Sequence, residues 1–100
     1  MVIVTEQQIM KAHRIAEHYG KNKQKIQAVQ ELTELILVLT RRPDQKPDRE
    51  AYLDSLIDEM ADSLVMIEQI RQLYEINPID IDRRITAKLN RQLRRMEESE

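Results

Sequence analysis

The apolar positions of this chain recur at three- and four-residue intervals almost from end to end, the period of an α-helix laid against a core. Thr5 and Gln8 have the spacing of a capping box and open a first helix of about 15 residues. Gly20 closes it after Tyr19, where a left-handed residue is wanted. A second helix runs from Lys21 or Asn22 to Thr40, with Ala28, Val29, Leu32, Leu35, Ile36 and Leu39 at helical spacing. In RRPDQKPDR, residues 41–49, two prolines and dense charge break the pattern and predict a loop. The third helix starts near Asp48 and holds its spacing through Leu53, Leu56, Ile57, Met60, Leu64, Ile67, Ile70 and Leu73, until Asn77-Pro78 stops it. A fourth, with Asp80 or Asp82 as its cap, carries Ile81, Ile85, Leu89, Leu93 and Met96, and the closing EESE frays. With no internal repeat and no dividing linker, the expectation is a single all-α domain over residues 1–100, folded as an antiparallel four-helix bundle.

Composition narrows this further. One glycine, three prolines and no cysteine in 100 residues exclude a collagen-like chain, a disulfide scaffold and a cysteine-based zinc site, and argue against a turn-rich sheet. The only aromatic residues are Tyr19, Tyr52 and Tyr74. A core of Leu, Ile, Val and Met in so short a chain buries limited area, which predicts a homodimer or homotetramer. The formal net charge of -2 exerts no global pull on nucleic acid or an acidic membrane. No apolar run reaches the roughly 20 residues of a membrane span, and MVIVTEQQ lacks the basic start and long apolar stretch of a secretory signal. The expected setting is cytoplasmic, with no membrane partner.

The chemistry lies in where certain acids fall. On a helical wheel of about 100° per residue, Glu31 sits between Val38 and Leu35, inside the edge of an apolar arc, with Glu34 beside it. Glu59 is placed more sharply, with Tyr52 and Met66 within roughly 20° on either side and Asp62 one step round. A carboxylate turned toward a dry interior must pair, hold a cation or take a proton. If the two helices lie side by side, four carboxylates converge, and hard oxygen ligands without histidine or thiol suit Mg²⁺ or Mn²⁺. The competing reading is solvated acids paired with the chain's 16 Lys and Arg.

Glu31xxGlu34, the segment 35–58 and then Glu59xxAsp62 resemble the signature of the MazG-like all-α nucleoside triphosphate pyrophosphohydrolases. HYGKNKQKIQAVQELTELI (18–36) is similar to the stretch leading into that family's first acidic helix, LIDEMADSLVMI (56–67) to its second, and IDRRITAKLNRQLRR (81–95) to its basic closing helix. The resemblance implies a Mg²⁺-dependent hydrolase that splits a (d)NTP into (d)NMP and pyrophosphate. Glu31, Glu34, Glu59 and Asp62 would be the metal-binding set, with Glu34 and Glu59 in the catalytic role. Lys88, Arg91 and Arg95 would grip phosphate, and Gln24 would approach the nucleobase. The chain departs from the family at Gln30, where a further Glu often precedes the first pair, and Gln92 falls where some members have Arg under a shifted alignment.

Phosphoanhydride cleavage needs neutralised phosphate charge and a positioned water, which acids holding Mg²⁺ and a basic helix can supply. Arg83, Arg84 and Arg94 read as solvated partners of neighbouring acids. Nucleic-acid binding through the same helix is disfavoured by the absence of aromatic interleaving for stacking. His13 and His18, five apart and without a Glu-x-x-His pattern, read as ordinary surface or half-buried residues and argue against a di-iron bundle. Two alternatives stay open: a non-catalytic helical interaction module held by ion pairs, and a small nucleic-acid binder using the basic helix.

Overall fold

The computed structural model describes residues 5–41 and 48–99, all of whose regular structure is helical. The elements are α1 (Glu6–Tyr19), α2 (Lys21–Thr40), α3 (Arg49–Leu73) and α4 (Pro78–Glu98). The apolar lead at 1–4, the bulk of the expected 41–49 loop and the last residue lie outside the described residues. No described helix is long and apolar enough to cross a membrane.

Local chemistry sets most boundaries. Thr5 Oγ1 accepts from the Gln8 N–H at 3.1 Å while Gln8 Oε1 accepts from the Thr5 N–H at 3.4 Å, a reciprocal cap that satisfies two orphan donors. Gly20 alone joins α1 to α2: its N–H donates to Ala16 O and its carbonyl accepts from the Gln24 N–H. Its φ of 84° is the positive value expected, but ψ of 170° takes it outside the left-handed helical well, so the chain turns through an extended glycine. A Cβ there would meet nothing, so backbone conformation alone requires the glycine. α3 begins at Arg49, beside the expected start near Asp48, and Asp48 caps it, its carboxylate accepting from the Ala51 N–H at 2.6 Å.

The α3–α4 junction differs from expectation. α3 ends at Leu73, before Asn77-Pro78, with Glu75 at φ 53° and the Ile76 and Glu75 N–H groups donating back to Arg71 O and Gln72 O, a Schellman closure. Asn77-Pro78 starts α4 instead of stopping α3. Neither Asp80 nor Asp82 is the cap: Asn77 Oδ1 accepts from the Ile79 N–H at 3.0 Å, and Pro78 sits at a first-turn position, where its missing N–H costs nothing.

α2 and α3 form an antiparallel pair and α1 lies across them, mainly against α3. Ala12 and Ala16 are the buried residues of α1, small enough to bring its backbone close. Gln72 ties the two helices, donating to Ile9 O and meeting His13 Nδ1, each at 3.1 Å. Among the described residues the buried apolar set is Ala12, Ala16, Ala28, Val38 and Met66. α4 contributes nothing to it: no α4 residue is buried and no described helix packs along its length. Within one chain, then, three helices pack and the fourth projects, leaving the expected four-helix arrangement incomplete.

Candidate metal centre

The α2–α3 seam is a ladder of facing residues, in which Gln24 and Gln69, Glu31 and Asp62, and Glu34 and Glu59 are symmetric about the same point of the sequence. At one end Gln24 Nε2 donates to Gln69 Oε1 at 2.5 Å, both side chains buried. At the other, the Tyr52 hydroxyl donates to Val38 O at 3.2 Å. Between these clamps lie two acidic rungs, Glu31 facing Asp62 and Glu34 facing Glu59. One oxygen from each of Glu31, Glu34 and Glu59 lies within 4.8 Å of the others, and Asp58, Glu59 and Asp62 form a second such group. Glu59 belongs to both.

Among the described residues no Lys or Arg pairs with these acids. Burial, then the charge and hydrogen bond of the Glu34 carboxyl, then Asp62 and Asp58, push the Glu59 carboxyl above its ordinary range. Asp62 is raised likewise, by burial first, then by Glu31 and Asp58. Glu31 Oε2 and Glu59 Oε2 are shut off from solvent and find no hydrogen-bond donor among the described residues. An orphaned buried acceptor is costly, and a divalent ion satisfies such oxygens without a protein donor. The donor set is all carboxylate oxygen, which fits Mg²⁺ or Mn²⁺. Gln27, one turn before Glu31, donates to its Oε1 at 2.8 Å and orients it, leaving Oε2 for the centre.

The four expected metal residues are thus brought together, and the two placed in the catalytic role, Glu34 and Glu59, face each other. The others are not. Gln24 does not reach toward a ligand: its amide is buried and engaged with Gln69, each buried amide supplying the other's hydrogen-bond partner. Lys88, Arg91 and Arg95 stand exposed on the projecting α4, and none is among the groups acting on Glu59 or Asp62. Asp58 joins the acidic group without standing among the expected residues; its sequence signal is DEMAD (58–62), which puts it beside Glu59. Ser63, 3% exposed with its hydroxyl unpartnered among the described residues, gave no sequence signal.

The seam is braced by a network that sequence also left unread. Glu68, only 5% exposed, accepts from Arg71 Nε at 2.8 Å and Nη2 at 2.6 Å and from Gln72 Nε2 at 2.5 Å. Arg71 also donates to Ile76 O at 3.0 Å, fastening the α3–α4 junction. The Arg71 guanidinium holds the Glu68 carboxyl below its ordinary range against the opposing effect of burial. No family model, curated protein or solved structure matches this chain.

Proposed function

We propose that this protein is a Mg²⁺-dependent nucleoside triphosphate pyrophosphohydrolase of the MazG-like all-α type, working as a homodimer or homotetramer. The reaction is (d)NTP and water to (d)NMP and pyrophosphate, with Mn²⁺ able to replace Mg²⁺. The observation that carries this reading is the pair of facing acidic rungs whose inner oxygens, on Glu31 and Glu59, are buried without donors. A structural ladder would place amides or apolar groups there, as the Gln24–Gln69 rung does. Four converging acids with no cation destabilise the fold unless an ion or a proton joins them.

In this reading Glu31, Glu34, Glu59 and Asp62 hold the ion, which when bound supplies positive charge to the triphosphate and its leaving group. Glu34 is exposed on the open side of the ladder, where it can take the proton of the attacking water. Glu59, shared by both acidic groups, orients the set. Lys88, Arg91 and Arg95 neutralise the leaving pyrophosphate. The test is pyrophosphate release from a panel of ribo- and deoxyribonucleoside triphosphates with Mg²⁺. Turnover that disappears in Glu59→Gln, with helical circular dichroism retained, supports the assignment. Turnover unchanged in that variant removes it.

A further inference from the structure

On α3, Glu59, Ser63, Met66 and Ile70 share an arc of about 60° that faces α2. Ser63 is 3% exposed, and among the described residues its hydroxyl has no hydrogen-bond partner. A hydroxyl inside a helix ordinarily folds back onto a carbonyl of the preceding turn. Thr33 does so onto Val29 O at 2.6 Å, and Ser55 onto Ala51 O at 3.1 Å. Ser63 does not, so its donor is stranded where solvent does not reach it.

Two acceptors are stranded in the same stretch of the seam. The buried side-chain atoms without partners among the described residues are Glu31 Oε2, Glu59 Oε2 and Ser63 Oγ. Glu59 lies one turn before Ser63, and Glu31 faces Asp62, the residue preceding Ser63. The lean of each side chain decides between the two carboxylates. Helical side chains tilt toward the N-terminus of their own helix. Glu59 therefore tilts toward Ser55, away from Ser63. Glu31 tilts toward Gln27, whose Nε2 donates to its Oε1 at 2.8 Å. In the antiparallel pair Gln27 is level with Met66, just as Glu31 is level with Asp62. The Glu31 carboxyl thus stands between the levels of Asp62 and Met66, which is where Ser63 stands.

We infer that Ser63 is a positioning residue of the metal centre: with an ion held between the acidic rungs, its hydroxyl donates to Glu31 Oε2 and, together with Gln27 on Oε1, fixes that carboxylate from both ends. This rests on the ion-binding part of the proposed function and not on the reaction. A carboxylate oxygen has two lone pairs, so Oε2 accepts from Ser63 and still faces the ion. Partners of this kind set the orientation of a metal ligand, and losing one typically costs about 10–100-fold in affinity. In the metal-free chain the same hydroxyl contributes only the cost of an unpaired donor. Deleting it therefore acts in opposite directions on the two states, which a residue that merely packs does not do.

Ser63→Ala in the full chain is the test. Without metal its melting temperature should rise by a few degrees. Its Mn²⁺ affinity, read from the electron paramagnetic resonance signal of the free ion, should fall by about 10–100-fold. Made in a Glu31→Gln background, the same change should cost less than about twofold, because the carboxylate that Ser63 positions is gone. A smaller fall in the single variant overturns the inference and leaves the metal centre standing. A lower metal-free melting temperature also overturns it, since the hydroxyl would then already have a partner. So does a fall that persists in the Glu31→Gln background, which would place the action of Ser63 on the ion itself or on Glu59. A wild type that binds no Mn²⁺ at millimolar concentration overturns the inference and the metal centre together. Binding that weakens as expected in Ser63→Ala, in a protein that releases no pyrophosphate, sinks the pyrophosphohydrolase reading and upholds the role of Ser63.

Discussion

Divalent cations should stabilise this protein through the acidic ladder, and removing the Glu59 charge should raise metal-free stability and abolish most of that response. The three oxygens of Glu31, Glu34 and Glu59 lie within 4.8 Å of one another. Two oxygens on one Mg²⁺, with bonds of about 2.1 Å, lie about 3 Å apart when adjacent and about 4.2 Å apart when opposite. Closing the site therefore takes side-chain shifts of about an ångström, within reach of rotamer adjustment between two helices already clamped at Gln24–Gln69 and Tyr52–Val38. With little to reorganise, binding free energy passes into stability. At free ion a hundredfold above Kd the gain is about 2.7 kcal/mol, which moves the melting temperature of a domain this size by roughly 10–20 °C. The assay is thermal unfolding of metal-free protein titrated with Mg²⁺ or Mn²⁺, against NaCl at matched ionic strength. Glu59→Gln should melt higher than wild type without metal, because it removes one charge from a repelling cluster, and should lose most of the metal response. A wild-type melting temperature indifferent to millimolar Mg²⁺ and Mn²⁺ would refute the reasoning, as would an equal rise in Glu31→Gln/Glu59→Gln.

Three further outcomes follow from the same geometry. Glu59 and Asp62 hold protons more readily folded than unfolded, so above the ordinary carboxylate range near pH 4 and up to their raised values the metal-free protein should lose stability as pH rises. Urea midpoints across that window should show the slope, and Glu59→Gln/Asp62→Asn should flatten it. Arg71→Met leaves the buried Glu68 carboxylate without its bidentate partner and should cost about 3–5 kcal/mol at neutral pH; because Glu68 is depressed in the wild type, the lost stability is that present above its ordinary range, so the deficit should shrink on acidification. Gln24→Ala strands the Gln69 amide and should cost about 1–3 kcal/mol in urea unfolding while leaving any nucleotide-base preference unchanged.

Much of this molecule was legible in its sequence because the relevant physics is local or symmetric. The cap at Thr5 acts over three residues and stands where the spacing puts it, and the start of α3 falls beside Asp48, whose side chain caps it. The acidic ladder was legible for another reason: an antiparallel hairpin pairs positions symmetric about its connection, so two acids three apart on each arm must meet if the arms have equal reach. At Asn77 the same local reasoning went astray, since a proline that ends one pattern also starts the next with its preceding residue as cap.

Tertiary structure alone decided the rest. Gln24, Glu68 and Gln69 look like solvent-facing residues until their partners are known, and Gln24 meets Gln69 across 45 positions of chain, so no local window pairs them. α4 is the larger case. Its periodicity states that it has a face to bury but not against what, because apolar burial carries no address. The α3–α4 junction, closed by Glu75 and fastened by Arg71 to Ile76, sets the direction in which α4 leaves. That direction carries its basic stripe away from the acids of its own chain, a separation that composition and spacing alone do not encode.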